Sequence, residues 1–295
     1  MQTKTNSGTF DIRWDRFELA LSKRTHIMGV LNRTPDSFSD GGLFMDEKAA
    51  IDRIYRMVSE GADIIDIGGE STRPGAEPVS IDEELERTIP VIKAVAGKID
   101  TPVSIDTYKP EVARAALKNG AAMINDITGL RGDNRMAKVA AEFDVPVIVM
   151  HIRNTPRTMQ QDIHYTSLID DILASLEESA NLAVKAGVAG DRIIIDPGIG
   201  FGKTTEHNLE ILNRLESFKV LKRPILIGVS RKSFIVNTLK NSGIIDENTA
   251  VGGRLMGTAA SAAISIIKGA NILRVHDVKE MVQVARIADA ITAAS

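Results

Sequence analysis

The sequence predicts an α/β protein folded as a single closed (β/α)8 TIM barrel, and three features carry that expectation. Short apolar runs alternate with helix-patterned stretches eight times along the 295 residues. The runs are close to continuously apolar, as strands covered on both faces of a parallel sheet must be. No linker, internal repeat or low-complexity segment breaks the alternation, which favours one closed barrel over a doubly wound open sheet.

Residues 1–24 stand outside the rhythm and are read as an N-terminal extension to a barrel of residues 25–295. Within the extension, "FDIRWDRFELALS" alternates weakly and is expected to form a hairpin across the barrel floor. The eight strand runs follow at 25–31, 62–68, 102–107, 122–127, 146–151, 192–197, 224–230 and 271–277. Between them, Ile51, Ile54, Val58 and Ala62 recur at helical spacing, and Ser80 with Glu83 reads as a capping box. Pro90 is expected to kink the second helix, whereas Pro110 suits the first turn of the third, where a missing N–H costs nothing. Thr204 or Thr205 caps a later helix, and Asp277 with Glu280 the last.

Composition narrows the function classes. A formal net charge of -3 provides no bulk field to gather nucleic acid or an anionic membrane, so an anionic ligand must be held locally. Without cysteine, disulfides, thiolate nucleophiles and Cys-based zinc sites are excluded, and a reducing, cytoplasmic setting is expected. The start shows no apolar targeting core, and the longest uncharged apolar stretch, 255–267, is too short for a bilayer. A soluble protein is expected.

In a barrel of this kind the active site lies at the carboxyl ends of the strands. Polar residues fall at those ends in all eight units: Asn32; Gly69 to Arg73; Asp106; Asn125 and Asp126; His151; Asp196; the "SRKS" stretch; and Arg274 with His276. One such residue is usually a helix cap, but eight together are not explained that way. Asp106, Asn125 and Asp196 bring two carboxylates and an amide to the mouth, with Lys232 nearby. That set suits a flat heterocycle with amine and amide edges, since a carboxylate accepts two N–H bonds side by side and Asn offers a donor and an acceptor together. A general acid–base carboxylate pair, or a divalent cation held by both Asp, fits the same residues. Arg274 and His276, two apart on a strand, share a face, and with Thr72 and Arg73 they suggest a clamp for phosphate or diphosphate.

Other motifs are weaker. "GIGFGKTT" misses the P-loop pattern at Pro197, so its glycines are assigned to a tight strand-to-helix turn. The histidines lack HExxH spacing, and no Gly-Xaa-Ser-Xaa-Gly elbow occurs. The small-residue segment 247–270 reads as a helix-packing face or a subunit interface.

Taken together, "MGVLNRTPDSFSDGG", "IIDIGGESTRPGA", "VSIDTYKPEVA", "INDITG", "MHIRNTPRTMQ", "IIDPGIGFGKT", "GVSRKSFI" and "RVHDV" resemble, in order and spacing, the motifs of the dihydropteroate synthase family of pterin-binding TIM barrels. The resemblance runs from about residue 25 to 280. It implies a transferase of folate biosynthesis, the target of sulfonamides, that joins 6-hydroxymethyl-7,8-dihydropterin diphosphate to p-aminobenzoate. It puts the pterin on Asp106, Asn125, Asp196 and Lys232, the diphosphate near Thr72, Arg274 and His276, and Mg2+ on Asn32. The aminobenzoate then lies by Arg73, Pro74, Phe38 and Ser233. Lys232, Asp106, Arg274 and His276 become the catalytic group, and a cytoplasmic homodimer is implied. "NRTPDSFSDGG" becomes a lid that closes on the second substrate, with Arg33 where many relatives have Val. Two rivals share the pocket: a barrel that transfers the methyl group of methyltetrahydrofolate to a corrinoid protein, and a paralogue that binds pterins without turnover.

Overall fold

The computed structural model describes residues 10–34, 46–73, 75–244 and 254–294. Eight parallel strands form the barrel: β3 (His26–Asn32), β4 (Ile64–Gly68), β5 (Val103–Asp106), β6 (Met123–Asp126), β7 (Val147–Met150), β8 (Ile193–Asp196), β9 (Leu226–Ile227) and β10 (Ile272–Val275). Their order is β8-β7-β6-β5-β4-β3-β10-β9. A parallel bridge between Ile195 and Ile225 joins the two ends, with Ile195 N–H donating to Pro224 O at 3.0 Å, so no open edge remains at the seam. All eight strands lie where the apolar runs predict them. The seventh is the shortest, because beyond Ile227 the chain leaves the sheet to carry Ser230, Arg231 and Lys232 towards the mouth.

Nine helices are described: α1 (Glu47–Ser59), α2 (Ile81–Val95), α3 (Pro110–Lys118), α4 (Arg135–Phe143), α5 (Leu168–Ala186), α6 (Thr205–Asn213), α7 (Ser233–Asn241), α8 (Arg254–Ile267) and α9 (Val278–Ala293). The strand residues are almost all buried and belong with the inner helix faces to one continuous apolar core.

Local signals hold in part. The buried face of α1 is Ala50, Ile54 and Met57; Ile51 and Val58 flank it, and Ala62 lies past the helix end, so the expected stripe is rotated by about one residue. Ser80 accepts from Glu83 N–H at 3.1 Å, but the Glu83 carboxylate turns to Arg87 instead of closing the box. Helix α2 runs through Pro90, and Pro110 sits in the first turn of α3 as expected. Thr204 caps α6 in a box closed by His207, whereas Asp277 starts α9 with its carboxylate given to Arg231.

The expected hairpin is present. Strands β1 (Asp11–Trp14) and β2 (Phe17–Ala20) pair antiparallel through a two-residue turn in which Asp15 takes φ 46°. Ile12, Trp14 and Leu19 are buried against the amino ends of the barrel strands, where Trp14 Nε1 donates to Ala122 O at 2.8 Å. This plug shuts the end opposite the mouth.

Candidate active site

The mouth is built by strand parity. Residues 64, 66 and 68 of β4 alternate with 65 and 67, and parallel register sets Gly68 beside Asp106 and Asp106 beside Asn125. Asp66 lies one layer deeper, fully buried. Arg274, entering from β10 on the far side, donates from Nε to Asp66 Oδ2 and from Nη2 to Asp106 Oδ2, both at 2.6 Å. Asn125 Nδ2 donates to the same Asp66 oxygen at 3.0 Å. Three strand ends are thereby tied across the barrel by one guanidinium.

Two ionisation effects follow. Burial first, then the neighbouring carboxylates Asp66, Glu84 and Asp126, push the Asp106 carboxyl up, while Arg274 opposes them. Burial works against the Arg274 charge, but Asp66 and Asp106 outweigh it and hold the guanidinium protonated.

Asp196 closes β8 and accepts from Gly198 N–H at 2.7 Å; burial raises its pKa, opposed by that bond and by Lys232. The turn depends on glycine: Gly198 has φ 73°, and a Cβ there would sit 1.9 Å from His151 O. Gly200, at φ 83°, passes so close to Lys232 that a Cβ would lie 3.0 Å from Lys232 Cδ. The glycine string therefore shapes a strand-to-helix turn, as the sequence suggests, and also makes room for the Lys232 stem. Lys232 donates to Ile199 O, and its Nζ stands 4.2 Å from the centre of the Phe201 ring. Burial lowers its pKa to about 8, with Asp196 resisting.

Arg274 and His276 reach different partners. While Arg274 turns into the barrel, His276 lies against the loop after β9, with its N–H and its Nδ1 at 3.2 and 3.1 Å from Ser230 Oγ. Arg53 of α1 donates to the His276 carbonyl at 2.8 Å and fixes that corner. Burial, then Arg274 and Arg231, press the His276 pKa down to about 3, so the ring is neutral at physiological pH. Thr72 is half-buried in the loop after β4, Arg73 beside it is exposed, and Ser233 is exposed at the start of α7. Asn32 ends β3, and the point where a Gly68 Cβ would stand lies 3.7 Å from Asn32 Oδ1 and 3.5 Å from Asp106 Oδ2. Phe38 with the rest of the expected lid from residue 35, and Pro74 in the loop after β4, lie outside the described residues.

Sequence reasoning missed three groups. Asp66 is hidden inside an apolar run, and its only signal is one acid with the parity of Gly68. Lys109 donates to Glu84 at 2.6 Å and Val79 O at 2.8 Å and pairs with Glu70, to which Tyr108 also donates; this buried network anchors the loop carrying Thr72 and Arg73. Lys203, 3 % exposed, sets Nζ 2.9 Å from His151 Nδ1 and 3.1 Å from Phe201 O, joining the loops after β7 and β8. Asp126 serves its own turn, accepting from Thr128 N–H and Oγ–H at 2.7 Å and from Leu130 N–H at 3.1 Å.

A (β/α)8 barrel with two carboxylates, an amide and a lysine converging on its mouth is a pterin-binding enzyme: the chain belongs to the pterin binding enzyme family, which it matches over residues 28–276. Within that family its relatives include dihydropteroate synthases. The one from Clostridium beijerinckii is 50% identical over 275 residues, covering 93% of this chain and 97% of that one. A Clostridium difficile dihydropteroate synthase, solved in the presence of pteroic acid, is 47% identical with a TM-score of 0.82, covering 91% of this chain and 97% of that one. The Yersinia pestis dihydropteroate synthase, solved with a sulfonamide drug complex, gives a TM-score of 0.88 at 39% identity, covering 97% and 100% of the two chains. The family expected from the motifs is thus the family found.

Proposed function

We infer that this chain is a transferase that condenses 6-hydroxymethyl-7,8-dihydropterin diphosphate with p-aminobenzoate, giving 7,8-dihydropteroate and diphosphate. The observation that carries the reading is the converging set Asp106, Asn125, Asp196 and Lys232, whose acceptors and donors match the amine and amide edges of a pterin. Asp106 and Asp196 accept ring N–H groups, and Lys232 donates to a ring carbonyl or nitrogen. Arg274 has committed Nε and Nη2 to carboxylates and offers its remaining N–H groups to the diphosphate side. His276 joins it with Thr72: Ser230 Oγ accepts the His276 backbone N–H and shares a second bond with Nδ1, and in the tautomer in which Nδ1 accepts, Nε2–H is a neutral donor. Arg73 and Ser233 are assigned to the p-aminobenzoate subsite; Phe38 and Pro74, the other residues that the motifs suggest for it, lie outside the described residues.

The neutral arylamine attacks the exocyclic methylene of the pterin. The C–N bond forms, the C–O bond to diphosphate breaks with its electron pair leaving on oxygen, and the amine proton passes to solvent. No covalent enzyme intermediate is required, so catalysis is positioning and electrostatic stabilisation of the leaving group.

Mg2+ is the proposed cofactor, with Asn32 as its protein ligand. Among the described residues no three His, Asp or Glu side chains gather to hold a metal. A single amide oxygen at the mouth suits a hard cation that keeps waters and shares substrate phosphates. When bound, it supplies charge neutralisation at the diphosphate. The same reading includes a cytoplasmic homodimer. The homodimer is supported by a mostly apolar depression of about 370 Å3 between α8 and α9, whose lining includes Ala259, Ala263, Ile267, Gln283, Ile287 and Ile291. No helix among the described residues is long and apolar enough to cross a membrane.

The test is product formation from the two substrates by purified protein, with Mg2+ and with chelator. Metal-dependent dihydropteroate is expected. A folded protein that binds the pterin diphosphate but forms no product would instead be a silent paralogue or a methyl-transfer barrel.

A further inference from the structure

We propose that Asp66 is a positioning residue that determines which edge of Asn125 meets the pterin and holds Arg274 flat across the mouth. The inference rests on the pterin-binding reading above and adds a residue to it. Asp66 is 0 % exposed on β4, and one carboxylate oxygen, Oδ2, takes both Arg274 Nε at 2.6 Å and Asn125 Nδ2 at 3.0 Å. Oδ1 has no hydrogen-bond partner. A fully buried carboxylate with an orphaned oxygen is expensive to keep, and its two bonds go to one residue of the pterin pocket, Asn125, and one of the diphosphate side, Arg274.

A carboxylate only accepts, so Asn125 must turn its NH2 group towards Asp66. That fixes the amide: Oδ1 and the second amide proton are what the ligand meets, in a set order. Asp66 thus writes the donor–acceptor order of the pocket without touching the ring. The same charge shares Arg274 with Asp106 and stops the guanidinium from pairing with Asp106 alone.

Replacing Asp66 by Asn keeps the shape but lifts the constraint. An amide oxygen in the place of Oδ2 still accepts from Arg274 Nε and Asn125 Nδ2 but without the charge, and the new NH2 no longer forbids the Asn125 amide from flipping to present NH2 where the ring expects an acceptor. Asp66→Asn should raise KM for the pterin diphosphate about 10- to 100-fold, the scale of one misplaced charge-assisted bond. KM for p-aminobenzoate should stay within about twofold, because Asn125 is not among the residues assigned to that subsite. The double variant Asp66→Asn/Asn125→Asp moves the charge to position 125, restores an acceptor towards the ring, and should regain most of the lost pterin KM.

The experiment is steady-state kinetics on wild type, both singles and the double, with circular dichroism to confirm folding. Should Asp66→Asn not fold alone, Asn125→Asp is compared with the double, which is expected to show the lower pterin KM. An unchanged pterin KM in folded Asp66→Asn, a loss confined to kcat, or a double variant no better than the worse single would overturn the proposal. Wild type without product would instead refute the functional reading on which it rests.

Discussion

Removing the Lys232 ammonium tests the pocket most directly. Its Nζ gives one bond to Ile199 O and faces the Phe201 ring, so donors remain for a ligand, and Asp196 is the carboxylate that keeps it charged. Lys232→Met deletes one charge-assisted bond to the ring, about 1.5–3 kcal/mol, and removes one of the neighbouring cations that offset the burial of Asp196, for about 2–4 kcal/mol in all. At 1.36 kcal/mol per decade, kcat/KM for the pterin diphosphate should fall roughly 30- to 1,000-fold. The melting temperature should move little, since Lys232 makes no direct ion pair with Asp196, the ammonium's own desolvation cost is relieved, and Met fills the same volume. The pH profile supplies a second arm. With its pKa lowered to about 8, Lys232 is charged below that value and neutral above it, so wild-type kcat/KM should decline with unit slope above about pH 8. In Lys232→Arg, which stays protonated, that limb should disappear from the accessible range. A Lys232→Met enzyme within threefold of wild type, or an alkaline limb unmoved in Lys232→Arg, would refute the assignment.

Three further outcomes follow from the packing. Gly198→Ala combines left-handed strain with a methyl 1.9 Å from His151 O, so it should lower stability by about 3 kcal/mol or more, read by urea unfolding, and weaken pterin-analogue fluorescence titrations through Asp196. Lys109→Met leaves Glu70 and Glu84 buried without their cation; a loss of about 3–5 kcal/mol is expected in the same assay, and a neutral result would show the network is dispensable. Trp14→Phe removes the bond to Ala122 O and part of a buried ring from the plugged floor, so stability should fall by about 2–3 kcal/mol while kcat and both KM values remain those of wild type.

The fold was legible because covered parallel strands must be apolar throughout, and each of the eight runs shows that as a local property. Even the weakly alternating hairpin could be read from Ile12, Trp14 and Leu19. The face of α1 was harder: Ile51 and Val58 look like core on periodicity alone, and only the packing of Met57 beneath β3 sets the rotation. The strand-end polar residues were visible as types at positions, but their partnerships were not. Nothing local to "RVH" says that Arg274 crosses the barrel to Asp106, 168 residues earlier, while His276 turns to Ser230. Asp66 escaped for the opposite reason. Attention to the carboxyl ends passes over an acid in the middle of a strand, whose importance appears only when parity places it beneath Gly68, facing Asn125. The pairings of Lys109 and Lys203 are likewise products of tertiary closure.

The ionic tie of Arg274 to Asp66 and Asp106 also sets how the enzyme meets its solvent. Charges inside the barrel are shielded from mobile ions, whereas exposed ones more than a Debye length apart, about 8 Å at physiological ionic strength, hardly feel each other. The ring pocket should therefore keep its geometry from dilute buffer to strong brine, while capture of the anionic substrates through exposed Arg73 weakens as salt rises. Recognition of the heterocycle and attraction of its charged tail are in this way under separate environmental control, one set by the barrel interior and the other by the medium.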